Sequence, residues 1–366
     1  MLPTTASIRG ISTRVDDAWR AVEADTLRSG TLLPLWHRAA WAATQPQNSS
    51  FLVDVPTPTG PKTSVVVQRD SSRSLPGHVL LRVQRFGHGW PTDTWESTIR
   101  QLSEIARSDK SVLRLNLEIF LRGDQESMRE ILRAKGFVPA PPRSYHHTLT
   151  LPVDQSDEVL LSTRKSLRKR LRDGEKFGVV VRALTDTQFA GALTALQQKA
   201  MERSGGSFRI PDWPAILKFS VENPALSRVI GLFPSAEEVE AQNMLGFAWG
   251  CMHGDHAEYR AAGSADLRPE HRSLSISHPL LWDLVRWTRD SGGTWFDMGG
   301  VTVSEGGDDP LAGISATKRI LSDTVEEVGE EWMLEPQVWK SRLAKSLGSL
   351  AGKAASLARP RTGSAR

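Results

Sequence analysis

Residues 259–320 constrain the fold more than any other part of the chain, because strand signals and helix signals alternate within this one stretch. Residues 259–264 can end a strand, and the proline of segment 277–279 favours a helix start, since a first helical turn has no use for the missing N–H. Four residues then follow the i, i+3, i+4, i+7 spacing of one buried helix face: Leu281, Leu284, Val285 and Thr288. Gly292 and Gly293 end this helix, because glycine most readily adopts the left-handed conformation, and a second strand follows.

The second strand ends in the segment FDMGG, which covers Phe296–Gly300. A strand-end aspartate followed by glycines is often only a turn former, so Asp297 on its own fits a structural role as well as a functional one. The order of the segments is more specific: AGS, an amphipathic helix, FDMGG, an acid-rich loop and then Lys318.

These segments are Ala262–Ser264, Phe296–Gly300 and Thr317–Lys318, and in this order they resemble the C-terminal half of the FemABX family. Members of that family are aminoacyltransferases that build peptidoglycan interpeptide bridges. Their corresponding segments are YAGS-like, YDLGG-like and an FK dipeptide. The resemblance extends more faintly to Trp41 and to the strand 112–116, which match a tryptophan and an LRxDP strand of the family.

The resemblance implies an α/β fold with mixed (α+β) sheets, arranged as two tandem GNAT-like domains. The expected organisation has four parts: an N-terminal GNAT-like domain at 1–152, a C-terminal GNAT-like domain carrying the three motifs at 153–334, a helix returning to the first domain at 335–351, and a disordered basic tail at 352–366. The chain is comfortably long enough for two domains.

Composition limits the cellular setting. No apolar run approaches the length of a membrane span, and the N-terminus lacks the apolar core of a signal peptide. The only cysteine, Cys251, cannot form an intrachain disulfide. These features favour a cytoplasmic protein, and the formal net charge of +4 is compatible with an anionic partner such as tRNA, a nucleotide or a lipid headgroup.

The segment 157–176 predicts a basic helix, with leucines on one stripe and cations around the rest. Such a charge run is often only a solvated face. The alternative is an anion cradle, in which several cations hold phosphate groups. The family uses a similar helix to reach a nucleotide diphosphate or tRNA, so we expect Arg164 and Arg168 to bind substrate.

Aminoacyl transfer from a tRNA ester to an amine requires positioning of the amine and stabilisation of the oxyanion that develops on the carbonyl. Lys318 matches the lysine of the FK dipeptide and is the first candidate for the oxyanion role. Asp297 is the second catalytic candidate, to orient the amine or to anchor the glycine turn. Five further residues are expected to contact substrate: Tyr259, Ser264, Gly299, Gly300 and Trp41.

We predict no metal site. His146 and His147 are adjacent, and neighbouring side chains on a strand face opposite sides. The resemblance implies aminoacyl-tRNA as the co-substrate without any other cofactor. It implies lipid II or a UDP-linked peptidoglycan precursor as the acceptor, and a lipid-linked acceptor is compatible with peripheral membrane contact.

Two alternatives stay open. One is a GNAT-class N-acyltransferase that uses acyl-CoA on another amine. The loop 266–272 counts against it, because this loop contains none of the glycines with which such enzymes bind pyrophosphate. The other is an inactive member that acts as a binding module, and the retained Asp297, Gly299, Gly300 and Lys318 argue against that.

Overall fold

The structure is a computed structural model that describes residues 11–12, 15–47, 49–55, 63–123, 125–204, 210–266, 273–302 and 312–358. Its strands are β1 (Ile11–Ser12), β2 (Ser50–Val55), β3 (Thr63–Ser71), β4 (Val79–Phe86), β5 (Val112–Phe120), β6 (Val138–Pro139), β7 (His147–Pro152), β8 (Val180–Ala183), β9 (Ser227–Phe233), β10 (Gly246–Met252), β11 (His256–Ser264), β12 (Trp295–Gly300), β13 (Val325–Glu327) and β14 (Gly329–Leu334). Its helices are α1 (Asp17–Arg28), α2 (Ala39–Ala42), α3 (Trp95–Ser108), α4 (Gln125–Ala134), α5 (Asp157–Ser162), α6 (Lys165–Lys176), α7 (Ala190–Ser204), α8 (Trp213–Glu222), α9 (Ser277–Asp290), α10 (Ala312–Lys318) and α11 (Val338–Ala358).

The first of two compact units is drawn from residues 1–31, 45–143 and 330–366. Its sheet has the strand order β1-β2-β3-β4-β5-β14-β6. Strands β1 to β4 pair antiparallel in chain order, and the helix α3 then connects β4 to its parallel neighbour β5. Buried apolar residues of β2 to β5, α3, α4 and β14 form the core of this unit.

The second unit consists of residues 32–44 and 144–329. Its sheet has the order β8-β9-β10-β11-β12-β7-β13, which repeats the pattern of the first unit. Strands β8 to β11 pair antiparallel, and α9 connects β11 to its parallel neighbour β12. Apolar clusters cover both faces of the sheet, one with α6 and α9 and the other with α7 and α8. The two mixed sheets confirm the predicted α/β fold class with two units.

The unit boundaries differ from the expected domains. β7 was assigned to the end of the N-terminal domain 1–152, but it pairs with β12 and β13 of the second sheet. Residues 32–44 also belong to the second unit, whereas β14, assigned to 153–334, pairs in the first sheet. These strands are assigned to their units by pairing between strands that are far apart in the chain. Local periodicity in the sequence does not predict such pairing.

Two further predictions, one of a helix and one of a disordered tail, also need correction. The basic helix predicted at 157–176 is divided into α5 and α6, because the backbone of Arg164 is not helical. The tail predicted as disordered from residue 352 is helical as far as Ala358, and residues 359–366 lie outside the described residues. The helix predicted after 277–279 is confirmed as α9, with all four residues of its predicted face buried.

Among the described residues, no helix combines the length and the apolar character that crossing a bilayer requires.

A buried acidic group lies in the sheet of the first unit. The Glu331 side chain is 5% exposed, and its Oε1 atom lies 3.6 Å from Nη2 of Arg82. The same guanidinium donates to Glu118 at 2.5 Å. Burial and the Glu118 carboxylate raise the pKa of Glu331 to about 7, although Arg82 and Arg143 oppose this rise.

Glu331→Gln is expected to make the protein more stable than wild type at pH 8 and to have little effect near pH 5. A raised pKa means that the folded state retains a proton that the unfolded state releases, so the stabilisation is present below pH 4.5 and is lost as the pH rises to about 7. At pH 8 the free energy of unfolding of the variant should exceed that of the wild type by on the order of 2 kcal/mol. Urea denaturation at both pH values measures it, with the exposed Glu130→Gln as the matched control. A difference that is the same at both pH values would contradict the assignment.

Candidate functional site

Asp297 lies on β12, between β11 and β7, and its carboxylate is fully buried. Oδ1 accepts hydrogen bonds from the Thr148 hydroxyl at 2.5 Å and from the Gly299 N–H at 2.8 Å. Oδ2 accepts one from the Tyr145 hydroxyl. The carboxylate therefore ties the glycine turn to β7 and to Tyr145, two residues before that strand, and it provides a fixed negative charge.

Gly299 is required by backbone conformation as well as by space, and Gly300 is required by space. Gly299 has φ +69°, and a Cβ there would lie 2.9 Å from the Tyr259 carbonyl oxygen and 3.7 Å from Nζ of Lys318. A Cβ at Gly300 would lie 2.7 Å from Cβ of Tyr145. Side chains at either position would push the turn away from β11 or from Tyr145.

Lys318 is the last residue of α10, and its ammonium group is buried against this turn, with only 6% of the residue exposed. Nζ donates to the Gly300 carbonyl at 2.7 Å and lies 5.7 Å from the centre of the Tyr259 ring. Burial lowers the pKa of Lys318 to about 8, although the carboxylates of Asp297 and Glu258 oppose this shift. The site thus holds a desolvated cation that is still mostly charged at neutral pH.

Glu258 extends the polar cluster along β11. Its buried carboxylate lies 3.1 Å from Nε2 of His253 and 3.4 Å from the Arg260 guanidinium. Nδ1 of His253 accepts the Leu35 N–H at 3.2 Å, so Nε2 carries the proton and donates to Glu258. Tyr259, the next residue, packs at the edge of the core, and burial raises the pKa of its phenol.

The structure brings five of the predicted site residues together: Lys318, Asp297, Tyr259, Gly299 and Gly300. Ser264 lies at the end of β11, where its hydroxyl accepts a hydrogen bond from Arg203 at 3.0 Å. Trp41 packs against Trp36, Phe219 and Trp249. The contacts of Trp41 are therefore those of a core aromatic residue.

The two cations predicted to form an anion cradle have different surroundings. Arg164 donates to the backbone carbonyls of Leu160 and Leu321, so part of its guanidinium holds the chain together. The expectation that Arg164 binds substrate stays a prediction. Arg168 lines a groove of about 460 Å³ between α6 and α9, together with Arg172 and Arg286.

Three residues of the cluster were not predicted from the sequence: Tyr145, Thr148 and Glu258. Tyr145 and Thr148 reach Asp297 only because β7 pairs with β12, and no local motif marks them. Glu258 directly precedes Tyr259, which was a predicted site residue, but Glu258 itself was not predicted to belong to the site. The loop 266–272, whose lack of glycines counts against CoA, lies outside the described residues except for Asp266.

The expectation that His146 and His147 face opposite sides is wrong, because β7 begins only at His147 and the backbone at His146 is not yet a strand. Their rings lie 4.5 Å apart, edge to face, and both reach toward Glu327.

The fold and the site together define a protein of two GNAT-like units, with a buried lysine and aspartate beside the parallel strand pair of the second unit. No protein-family model and no curated protein matches the chain.

Solved structures do match it. The fold is similar to that of FemX, with a TM-score of 0.66 and 16% identity over 87% of this chain and 97% of that one. L-PGS from Bacillus licheniformis has a TM-score of 0.53 and 12% identity, covering 93% and 99% of the two chains. A conserved protein of unknown function from Bacteroides thetaiotaomicron has a TM-score of 0.51 and 12% identity, covering 88% and 98%. The similarity to FemX confirms the resemblance in fold along nearly the whole chain.

Proposed function

We propose that this protein is an aminoacyltransferase that moves an amino acid from aminoacyl-tRNA to an amine of a peptidoglycan precursor, and so contributes to interpeptide bridges of the cell wall. The observation that carries the proposal is the buried ammonium of Lys318, held by the Gly300 carbonyl beside Asp297. The fold shared with FemX supports it.

Aminoacyl transfer requires little more from the enzyme than a buried cation of this kind. The acceptor amine attacks the carbonyl carbon of the aminoacyl ester and forms a C–N bond. The C–O bond to the ribose then breaks, and the released tRNA hydroxyl takes up the proton that the amine loses. Negative charge develops on the carbonyl oxygen in between, and an ammonium in a desolvated site stabilises it more strongly than it would in water.

We assign Lys318 to the oxyanion and Asp297 to positioning, since its two oxygens hold the glycine turn that binds Nζ. The aromatic face of Tyr259 adjoins the same cation. Arg168 stays a candidate for contact with an anionic substrate, because it lines an open groove with Arg172 and Arg286. The proposal places the reaction in the cytoplasm, with lipid II or a UDP-linked precursor as acceptor.

A donor assay tests the proposal. The protein is mixed with radiolabelled aminoacyl-tRNA or with acetyl-CoA, and with lipid II or its UDP-linked precursor as acceptor. Transfer from aminoacyl-tRNA alone is the expected result. Transfer from acetyl-CoA alone would instead support an N-acyltransferase, and binding of an acceptor without transfer from either donor would support a binding module.

The rate of transfer is expected to fall above pH 8. Lys318 must carry its proton to stabilise an oxyanion, and burial sets the pKa of Lys318 at about 8. Single-turnover kcat/KM, divided by the neutral fraction of the acceptor amine at each pH, should therefore decline by roughly tenfold per pH unit well above this value, after subtraction of spontaneous ester hydrolysis. Lys318→Met should lack this descending limb. A wild-type rate that does not decline at pH 9 to 10 after the same correction would contradict the assignment.

A further inference from the structure

A second cluster of chemically active side chains lies at the start of β7, in the same unit. It consists of His146, His147 and Glu327. The pairing of β7 with β13 places His147 directly opposite Glu327. One ligand atom from each of the three side chains lies within 4.8 Å of the other two, and Nε2 of His146 is 3.6 Å from Oε1 of Glu327.

The backbone fixes the protonation of one of these imidazoles. Nδ1 of His146 is hydrogen-bonded to the Gly329 carbonyl. A carbonyl oxygen can only accept, so Nδ1 carries a proton, and in the neutral imidazole Nε2 then holds the lone pair on the side of Glu327. Metal-binding histidines are typically oriented in this way, by a hydrogen bond from the ring nitrogen that does not bind the metal.

We infer that His146, His147 and Glu327 bind a divalent cation of the Zn²⁺ class. Two imidazoles and one carboxylate are a common ligand set for Zn²⁺, whereas Mg²⁺ and Ca²⁺ prefer oxygen ligands alone. Ligand atoms of a tetrahedral zinc site are about 3.4 Å apart, as follows from bond lengths near 2.1 Å. The separation of 3.6 Å between His146 and Glu327 already fits this geometry. Three protein ligands leave a coordination position for water.

The cluster is exposed enough for a cation to enter. His146 and Glu327 have side chains that are 45% and 43% exposed. The residues on either side of the two histidines contact the candidate active site, because Tyr145 and Thr148 both donate to Asp297. A bound cation would stabilise the start of β7, which holds this carboxylate. The metal site itself does not depend on the proposed function.

The test uses tag-free full-length protein that has been stripped with EDTA and titrated with ZnCl₂ in a calorimeter. Binding of one equivalent is expected, together with a rise in the melting temperature, whereas MgCl₂ should have neither effect. Co²⁺ should give the visible absorption bands of a site with nitrogen ligands.

His147→Ala and Glu327→Gln should each weaken Zn²⁺ binding by roughly tenfold or more. His78→Ala is the control, since His78 is a partly exposed histidine of the other unit that contacts the Pro76 carbonyl. Glu327→Gln keeps the size of the side chain, and circular dichroism verifies its fold. Zn²⁺ binding that is unchanged in both variants, or wild-type protein that binds no Zn²⁺, would overturn the inference whatever the donor assay gives.

Discussion

Lys318→Met is expected to lower kcat/KM for aminoacyl transfer by 10²-fold or more. Methionine fills a similar volume but brings neither a charge nor a donor, so the developing oxyanion loses its cation and the Gly300 carbonyl loses its hydrogen bond. Removal of one oxyanion-stabilising group typically costs about 10²- to 10³-fold in rate. Single-turnover transfer with saturating aminoacyl-tRNA measures the effect, and most of the loss should appear in kcat.

Lys199→Met is the matched control for this substitution. Lys199 is a half-exposed lysine of the same unit, and its ammonium lies 3.4 Å from Asp266. Its replacement should change the rate by less than a few-fold. If Lys318→Met transferred at a rate within a few-fold of wild type, while remaining folded by circular dichroism, Lys318 would have no part in oxyanion stabilisation.

Asp297→Ala is expected to destabilise the protein by about 3–5 kcal/mol, the typical cost of removing one partner from a buried charged network. The substitution leaves three donors without their acceptor: the Tyr145 hydroxyl, the Thr148 hydroxyl and the Gly299 N–H. It also removes one of the two carboxylates that keep Lys318 protonated, so the pKa of Lys318 should fall further. Asp297→Asn should cost less, because the amide oxygen can still accept.

Chemical denaturation measures the loss of stability, with Asp154→Ala as the control. Asp154 is an exposed aspartate of the same unit, and its removal should change stability by less than about 0.5 kcal/mol. A cost of less than about 1 kcal/mol for Asp297→Ala would mean that the carboxylate does not hold the turn. Activity would then have to be explained without a fixed Asp297.

Local sequence patterns predicted the central part of the second unit well. The helix between the two strands and its glycine end follow from spacing and backbone preference, and both are found at α9 and Gly292. Asp297, Gly299 and Lys318 are close in sequence, so their assembly needs only one strand, one turn and one short helix. In the structure the Gly299 N–H donates to Asp297, and Lys318 donates to the Gly300 carbonyl.

The contacts that sequence analysis missed depend on strands that are far apart in the chain. Tyr145 and Thr148 reach Asp297 from about 150 residues away, through the register of β7 against β12. A register of this kind is set by packing of the whole sheet. The hydrogen bond from Arg164 to the carbonyl of Leu321, which is also distant in sequence, could not be predicted for the same reason.

The place of β14 determines the order in which the sheets can be completed during synthesis. Every described strand of the second sheet has been synthesised once residue 327 is added, whereas the first sheet lacks the strand between β5 and β6 until residue 334 follows. The first unit, whose strands begin earlier in the chain, is therefore the last to have its sheet completed. A nascent or truncated chain that stops before β14 would expose the edge of β5, and such unpaired edges favour aggregation.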